Sequence, residues 1–249
     1  MQRLVEMRGG FRNLMKEAPH LAPTLVIYTL PSWDQIDITT YPEKTIEDVM
    51  DTYSFIFPYI LCPPELFREL LRTNHLRQKA SAPMMLCEIE PEHVLEAHDL
   101  LARIEAFVPE DWAQPGQYYD EWLLIGTMYQ SALAIYCTMS MQSLTILPNT
   151  LEMNSMRSIH GDRLLTSLRA SAKLPRVMKF IVWPLVVAGV EALYRDEATR
   201  NCIESILTDQ SRIQGTSSPL KARAVLRRYW QKGVPGWDEC FDRPYVFII

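Results

Sequence analysis

Residues Trp122 to Leu151 read WLLIGTMYQSALAIYCTMSMQSLTILPNTL and carry no charged side chain, in a chain of which 22% is Asp, Glu, Lys or Arg. A run this long escapes charge most simply in a helix buried on most of its faces. A membrane span is the rival reading, because about 18 apolar residues are enough to cross a bilayer. The polar residues decide between the two. Thr127, Gln130, Ser131, Thr138, Ser140, Gln142 and Ser143 recur through the run, and the amides of Gln130 and Gln142 would need partners that lipid does not offer. The run is therefore read as the central helix of a soluble helical domain, over about 121–146 and stopped by Pro148.

Composition agrees with that reading. Hydrophobic residues make up 48% of the 249, enough for an ordinary core. Glycine, which the turns of sandwiches and barrels need, occurs only nine times. The 25 basic residues are outnumbered by 30 acidic ones, for a formal charge of −5. Such a balance argues against a domain that grips DNA through its phosphates. The cysteines stand at 62, 87, 137, 202 and 240, with no C-x-x-C spacing. They read as reduced, mostly buried thiols of an intracellular protein rather than zinc ligands. The opening MQRLVEMRGG is charged and lacks the apolar core of a signal peptide. It begins inside a helical pattern, as expected of a shortened gene product or a fragment.

Outward from the central run, the apolar spacing predicts further helices. One covers 1–16, with Leu4, Met7, Phe11 and Leu14 near one stripe. Another covers 23–40, where Pro31 must split it and a strand is the alternative. A third runs over Thr45–Phe57, with Thr45 as N-cap and Pro58 as its end. Pro63-Pro64 opens a helix over 65–75, Ser81-Ala82-Pro83 marks a loop, and Pro91 starts a helix through Ile104. Pro109 to Tyr119, with Trp112, Tyr118 and Tyr119, reads as a connector. After Pro148 the pattern resumes over 156–172, where Ile159, Leu164, Leu165 and Leu168 face inward. It resumes again over 176–194, whose uncharged middle, Phe180 to Val190, holds Pro184 and should bend there. A short helix over 198–207 and a last one over 220–231, capped by Ser218-Pro219, complete the chain. The apolar side of that last helix is Leu220, Ala224, Val225 and Tyr229. The expected fold is all-α: a single irregular multi-helix domain built around a buried central helix, about 121–146, and a Pro-kinked helix, about 176–194.

Four stretches together resemble the regulatory domain of fungal zinc-cluster (Zn2Cys6) transcription factors. They are Leu4 to Gly10 (LVEMRGG) followed by Phe11 and Leu14; Glu121 to Leu124 (EWLL) leading into the uncharged run; Phe180 to Ala192 (FIVWPLVVAGVEA); and an ending with Leu226, Tyr229-Trp230, Trp237-Asp238 and Phe241-Asp242. The third is the most specific. The resemblance implies an all-helical regulatory domain of a nuclear protein, without catalysis or cofactor. Such a domain takes part in control of a DNA-binding head, in dimer formation or in sensing a metabolite. The six-cysteine zinc cluster of that family is not among these 249 residues, nor are the basic linker and coiled coil that follow it. DNA contact is thus expected only indirectly, and the sequence reads as a fragment or a headless paralogue acting through partners.

The remaining chemistry in the sequence is weaker. Glu88, Glu90, Glu92, His93, Glu96, His98 and Asp99 include one Glu-x-x-His spacing, as in di-iron bundles. No second such motif exists, and the two histidines are five apart, off a common face. A solvated acidic helix start is the better reading. Ser158, His160 and Asp162 lie too close in sequence for a hydrolase triad, and no G-x-S-x-G elbow occurs. No phosphate loop, dinucleotide fingerprint or H-E-x-x-H appears, so no catalytic, cofactor or metal residue is assigned. Trp183, Pro184, Gly189 and Glu191 form either an effector pocket under the bend or a packing motif, and packing is favoured. Lys221, Arg223, Arg227 and Arg228 make a basic face suited to an acidic partner or to an intramolecular contact. The tail from Gly236 interleaves acids and aromatics. It is read as docked into the domain, because the terminal Val246 to Ile249 would be sticky if exposed.

The expected function is transcription regulation through protein partners, a homodimer or a small effector of unknown identity, with no membrane role. The alternatives are a helical ligand-binding protein or enzyme with a pocket at the Pro184 bend, and a helical interaction scaffold.

Overall fold

The computed structural model describes residues 43–51, 53–81 and 91–242. The helices expected over 1–16 and 23–40, the loop beyond Ser81 and the tail beyond Asp242 lie outside these residues. The described chain is helical throughout, with no strand among the described residues. Its helices are α1 (Glu43–Asp51), α2 (Tyr53–Ile60), α3 (Pro64–Ser81), α4 (Pro91–Glu105), α5 (Pro109–Trp112), α6 (Tyr119–Ser143), α7 (Leu151–Ser171), α8 (Pro175–Met178), α9 (Val182–Glu191), α10 (Glu197–Gln214) and α11 (Ser218–Lys232). Single 3₁₀ turns follow at Ala192–Tyr194 and Asp238–Cys240.

The uncharged run is α6, and α3, α4, α5, α7 and α9 pack around it. Every residue from 128 to 141 is buried, so a charge anywhere in that stretch would be stranded away from water. The polar residues inside it are used. Gln130 Nε2 donates to the carbonyls of Ile104 (3.0 Å), Glu105 (3.3 Å) and Phe107 (2.8 Å). It thereby satisfies the end of α4, whose last carbonyls have no partner within their own helix. No helix among the described residues is long and apolar enough to cross a membrane.

Pro148 does not stop α6. The helix ends at Ser143, earlier than the expected 146, because Thr145 turns left-handed (φ 60°). Ile146 N–H then reaches back to Met141 O (2.9 Å) and Thr145 N–H to Gln142 O (3.1 Å). This is the Schellman closure, with threonine in the place that glycine usually takes.

The helix expected over 176–194 is divided. α8 ends at Met178, three residues turn the chain, and α9 starts at Val182. Pro184 therefore sits in the first turn of α9, where an N–H would have no helical partner, and it kinks nothing. The break is held from α10: Gln210 and Gln214 donate their amides to Met178 O, at 2.6 Å and 3.4 Å. α9 packs in turn on α7, α10 and α11.

Smaller departures have local causes. Thr45 lies inside α1 rather than capping it, and Pro58 lies inside α2 rather than ending a helix. α3 runs to Ser81, well past His75. α7 starts at Leu151 because the Thr150 hydroxyl accepts from Met153 N–H (3.3 Å). Asp196 caps α10 through Thr199 N–H (2.9 Å), hydrogen bonds that hold its carboxyl below the usual range. α10 then runs to Gln214, where Gly215 takes the left-handed cap. On α7, Ile159 is 63% exposed although its spacing suggested the core. On α11 the inner side is Ala222, Val225, Leu226 and Tyr229, and Leu220 and Ala224 face water.

Candidate functional site

Five aromatic rings join the central helix, α9 and the C-terminal turn. Trp183 stacks on Tyr129 (6.0 Å between centroids, 13° between planes) and meets Tyr136 edge-on (6.0 Å). Tyr136 meets Trp237 at 4.7 Å, and Trp237 meets Phe241 at 5.2 Å. Each such pair adds about 0.5–1.5 kcal/mol beyond the area it buries. Tyr129 also places its hydroxyl within reach of two carbonyls, Ile60 O (2.9 Å) and Phe180 O (3.0 Å), to which it donates. Burial pushes its pKa well above the ordinary value, so it remains a neutral donor. The described part of the tail is docked here: Trp237, Cys240 and Phe241 are buried, and Trp237 N–H donates to Ser143 Oγ (2.9 Å).

Of the four residues singled out in α9, Pro184, Gly189 and Glu191 are buried and Trp183 is half-buried. Gly189 lies against Leu226 of α11, and its carbonyl accepts from Trp230 Nε1 (2.8 Å). Glu191 accepts from Arg195 Nε at 2.5 Å. Arg195 also pairs with Asp162 and donates to Ser158 O (2.9 Å). Gly161 makes room for this group, because a Cβ there would meet both Glu191 and Arg195. Burial raises the pKa of Glu191, and the contact with Arg195 offsets part of the rise.

The same contacts give Ser158, His160 and Asp162 separate partners. His160 Nε2 meets Glu105, Asp162 meets Arg195, and Ser158 contributes its carbonyl. The set is a belt of helix-to-helix ties, with no nucleophile and base in register. Among the described residues there is no group of three or more His, Cys, Asp and Glu placed to hold a metal ion. Glu88 and Glu90 lie outside them, and His93 is buried. The basic face of α11 is partly engaged. Arg223 donates to Thr208 Oγ1 (2.8 Å), Arg227 pairs with Glu204, and Arg228 lies 3.5 Å from Asp242. Lys221, Arg227 and Arg228 remain exposed.

One feature had no forerunner in the sequence reading. A cavity of about 680 Å³ opens between α1, α3, the end of α4 and α5. Glu69, only 7% exposed, lies at its floor and accepts from Arg72 Nη1 (2.7 Å) on one oxygen and from Arg103 Nε (2.8 Å) on the other. Leu66, Phe107 and Trp112 supply apolar wall. The signal was a glutamate flanked by Leu66, Phe67 and Leu70 on the inner side of a helix, a place where an acid needs a cationic partner.

No family model matches this chain, and no solved structure matches it. It is 38% identical, over an alignment of 261 positions, to a phomenoic acid biosynthesis cluster-specific transcriptional regulator of Leptosphaeria maculans. This chain is a homologue of part of a fungal transcriptional regulator. The alignment takes in all of the chain and 49% of that protein, so the chain spans about half the length of the curated relative it matches. In this regulator homologue, two of the four stretches that carried the family resemblance pack together, the segment Phe180 to Ala192 and the ending from Leu226 to Asp242, while Glu121 to Leu124 lies at the opposite end of α6 from the docked ending, where Trp122 meets Phe57 and Trp112. The fourth, Leu4 to Leu14, lies outside the described residues.

Proposed function

We propose that the chain is the regulatory domain of a fungal transcription factor of the zinc-cluster type, working in the nucleus and without catalysis. The observation that carries this reading is the identity to a cluster-specific transcriptional regulator along the whole chain. The packing supports it. The FIVWPLVVAGVEA segment, the most specific part of the resemblance, is the hub on which α6, α7, α10 and α11 converge. The relative is named for a single biosynthesis cluster, and by analogy this domain governs a limited set of genes.

In this reading Trp183, Pro184, Gly189 and Glu191 are a packing motif rather than an effector pocket, since Trp183, Gly189 and Glu191 meet protein on the sides just described and Pro184 is buried. The exposed part of the basic face, Lys221, Arg227 and Arg228, is the surface offered to an acidic protein partner. DNA is reached through a separate zinc-cluster head.

Tethering tests the role directly. The chain is fused behind a DNA-binding head of known site and expressed in a fungal cell with a reporter under that site. Reporter output that departs several-fold from the head alone, in either direction, is the expected result. Output equal to that of the head fused to an inert helical protein, at matched expression, overturns the reading.

A further inference from the structure

We propose that the cavity floored by Glu69, Arg72 and Arg103 is a binding site for a small monocarboxylic acid with an apolar or aromatic body. The inference rests on the cavity and not on the transcriptional role.

The volume, about 680 Å³, is that of a small-molecule pocket. Its lining holds three guanidinium groups: Arg68 pairs with Glu47 (3.5 Å), while Arg72 and Arg103 share the buried Glu69, which leaves that cluster a formal surplus of one positive charge. Arg72 and Arg103 each give Glu69 one nitrogen. A guanidinium has five N–H donors in a planar fork, so each retains donors for a second acceptor. The shared Glu69 holds the two forks at fixed positions, and such preorganised groups lose little freedom when an anion arrives. A carboxylate is the acceptor whose geometry two forks suit.

The rest of the lining selects within the anions. Leu66, Phe107 and Trp112 offer apolar and aromatic surface, which fits an acid with a hydrocarbon or ring body. The rim carries Glu47, Glu65 and Asp111, all exposed. Arg68 offsets Glu47, and the two remaining carboxylates at the mouth oppose a multiply charged ligand such as a nucleotide or a diphosphate. One negative charge is what the surplus guanidinium of the Glu69 cluster balances.

Isothermal titration of the full chain with octanoate and with phenylacetate tests the site, with octanamide, phenylacetamide and inorganic phosphate as controls. The expected result is one saturable site for at least one of the two acids, with affinity about tenfold or more above its neutral amide. Phosphate is expected to bind more weakly than that acid. Arg103→Gln should abolish the preference for acid over amide. Because that change also leaves Glu69 short of a partner, a second variant avoids the floor. Ala106→Asp adds a carboxylate to the wall at an exposed position, and should remove acid binding while the melting temperature of the unliganded chain stays near that of the parent. Binding of the acid that Ala106→Asp leaves intact overturns the proposal. So does binding of phosphate as tight as that of the acids, which would indicate an adventitious anion only, or an absence of saturable binding to both acids.

Discussion

Gly189 of α9 and Leu226 of α11 are in such close contact that a Cβ at 189 would fall within the envelope of the leucine side chain. The contact sits beside the hydrogen bond from Trp230 Nε1 to Gly189 O, so the two helices are joined backbone to side chain over one turn. Leu226 is fully buried and has little freedom to withdraw. Gly189→Ala therefore sets a gain in helix propensity of about 1 kcal/mol against overpacking that costs about 1–3 kcal/mol. A net destabilisation of up to about 2 kcal/mol is expected in urea unfolding. The double variant with Leu226→Ala is the check. Once the leucine is shortened, Gly189→Ala should cost nothing further, and additive losses would show that the two residues are not coupled.

Glu191 makes stability depend on pH in a definite direction. Burial raises its pKa from the ordinary 4.5, more than Arg195 brings it back. A raised carboxyl binds its proton more tightly in the folded chain than in the unfolded one. Its stabilising contribution is present below the unfolded pKa and is lost as pH rises through the folded value. Glu191→Gln removes that titration. The stability of the parent relative to the variant should fall as pH climbs from about 4 toward neutrality. A difference that rises over the same interval would mean that the ion pair with Arg195 outweighs desolvation.

The class of fold was legible because one physical requirement dominates the sequence: residues 128 to 141 cannot see water, so none is charged. The reading of the ending as docked rests on Val246 to Ile249, which lie outside the described residues; the part that is described, Trp237 to Phe241, is docked. The ends of elements were not legible. Thr145 in a left-handed turn, where glycine is the usual residue, is set by how Ile146 and Leu147 bury against the domain and not by local preference. Pro184 was a true signal of irregular helix, but whether a proline bends a helix or opens one depends on the capping from Gln210, which stands 32 residues away from Met178. The Glu69 floor escaped notice because Arg103 reaches it from 34 residues along the chain.

The thiols should differ sharply in reactivity. Cys62, Cys137 and Cys240 are buried and Cys202 is half-buried, with none of the four in a disulfide. Burial pushes the Cys137 thiol up to about 12, with Cys62 and Cys240 also raised. At pH 8 a thiol of pKa about 12 is ionised about once in 10⁴, and only the thiolate attacks a disulfide reagent. Among these four, Cys202 alone should react promptly with an aromatic disulfide under native conditions. Peptide mapping after a short pulse reads the site, and prompt labelling at Cys137 would contradict the packing of α6.

Arg77 and Asp238 connect α3 to the C-terminal turn across 161 positions of sequence, at 2.6 Å. Arg77 is almost wholly buried and also donates to Ser140 O (3.3 Å). Asp238→Asn keeps the shape of the side chain and removes the charge that the guanidinium faces. The Asn Oδ1 still accepts from the guanidinium, so what is lost is the charge assistance of that hydrogen bond, about 1–2 kcal/mol. The lower end is expected here, because the side chain of Asp238 is 29% exposed and partly screened. The loss should be local, since Trp237 and Phe241 are held by this turn while the Gly189–Leu226 contact is independent of it. Hydrogen exchange followed by peptide mass spectrometry should show faster exchange over 236–242 in the variant and unchanged protection in α6 and α9. Uniform acceleration across the domain would instead mean that the ion pair stabilises the fold as a whole and that the ending does not open as a separate unit.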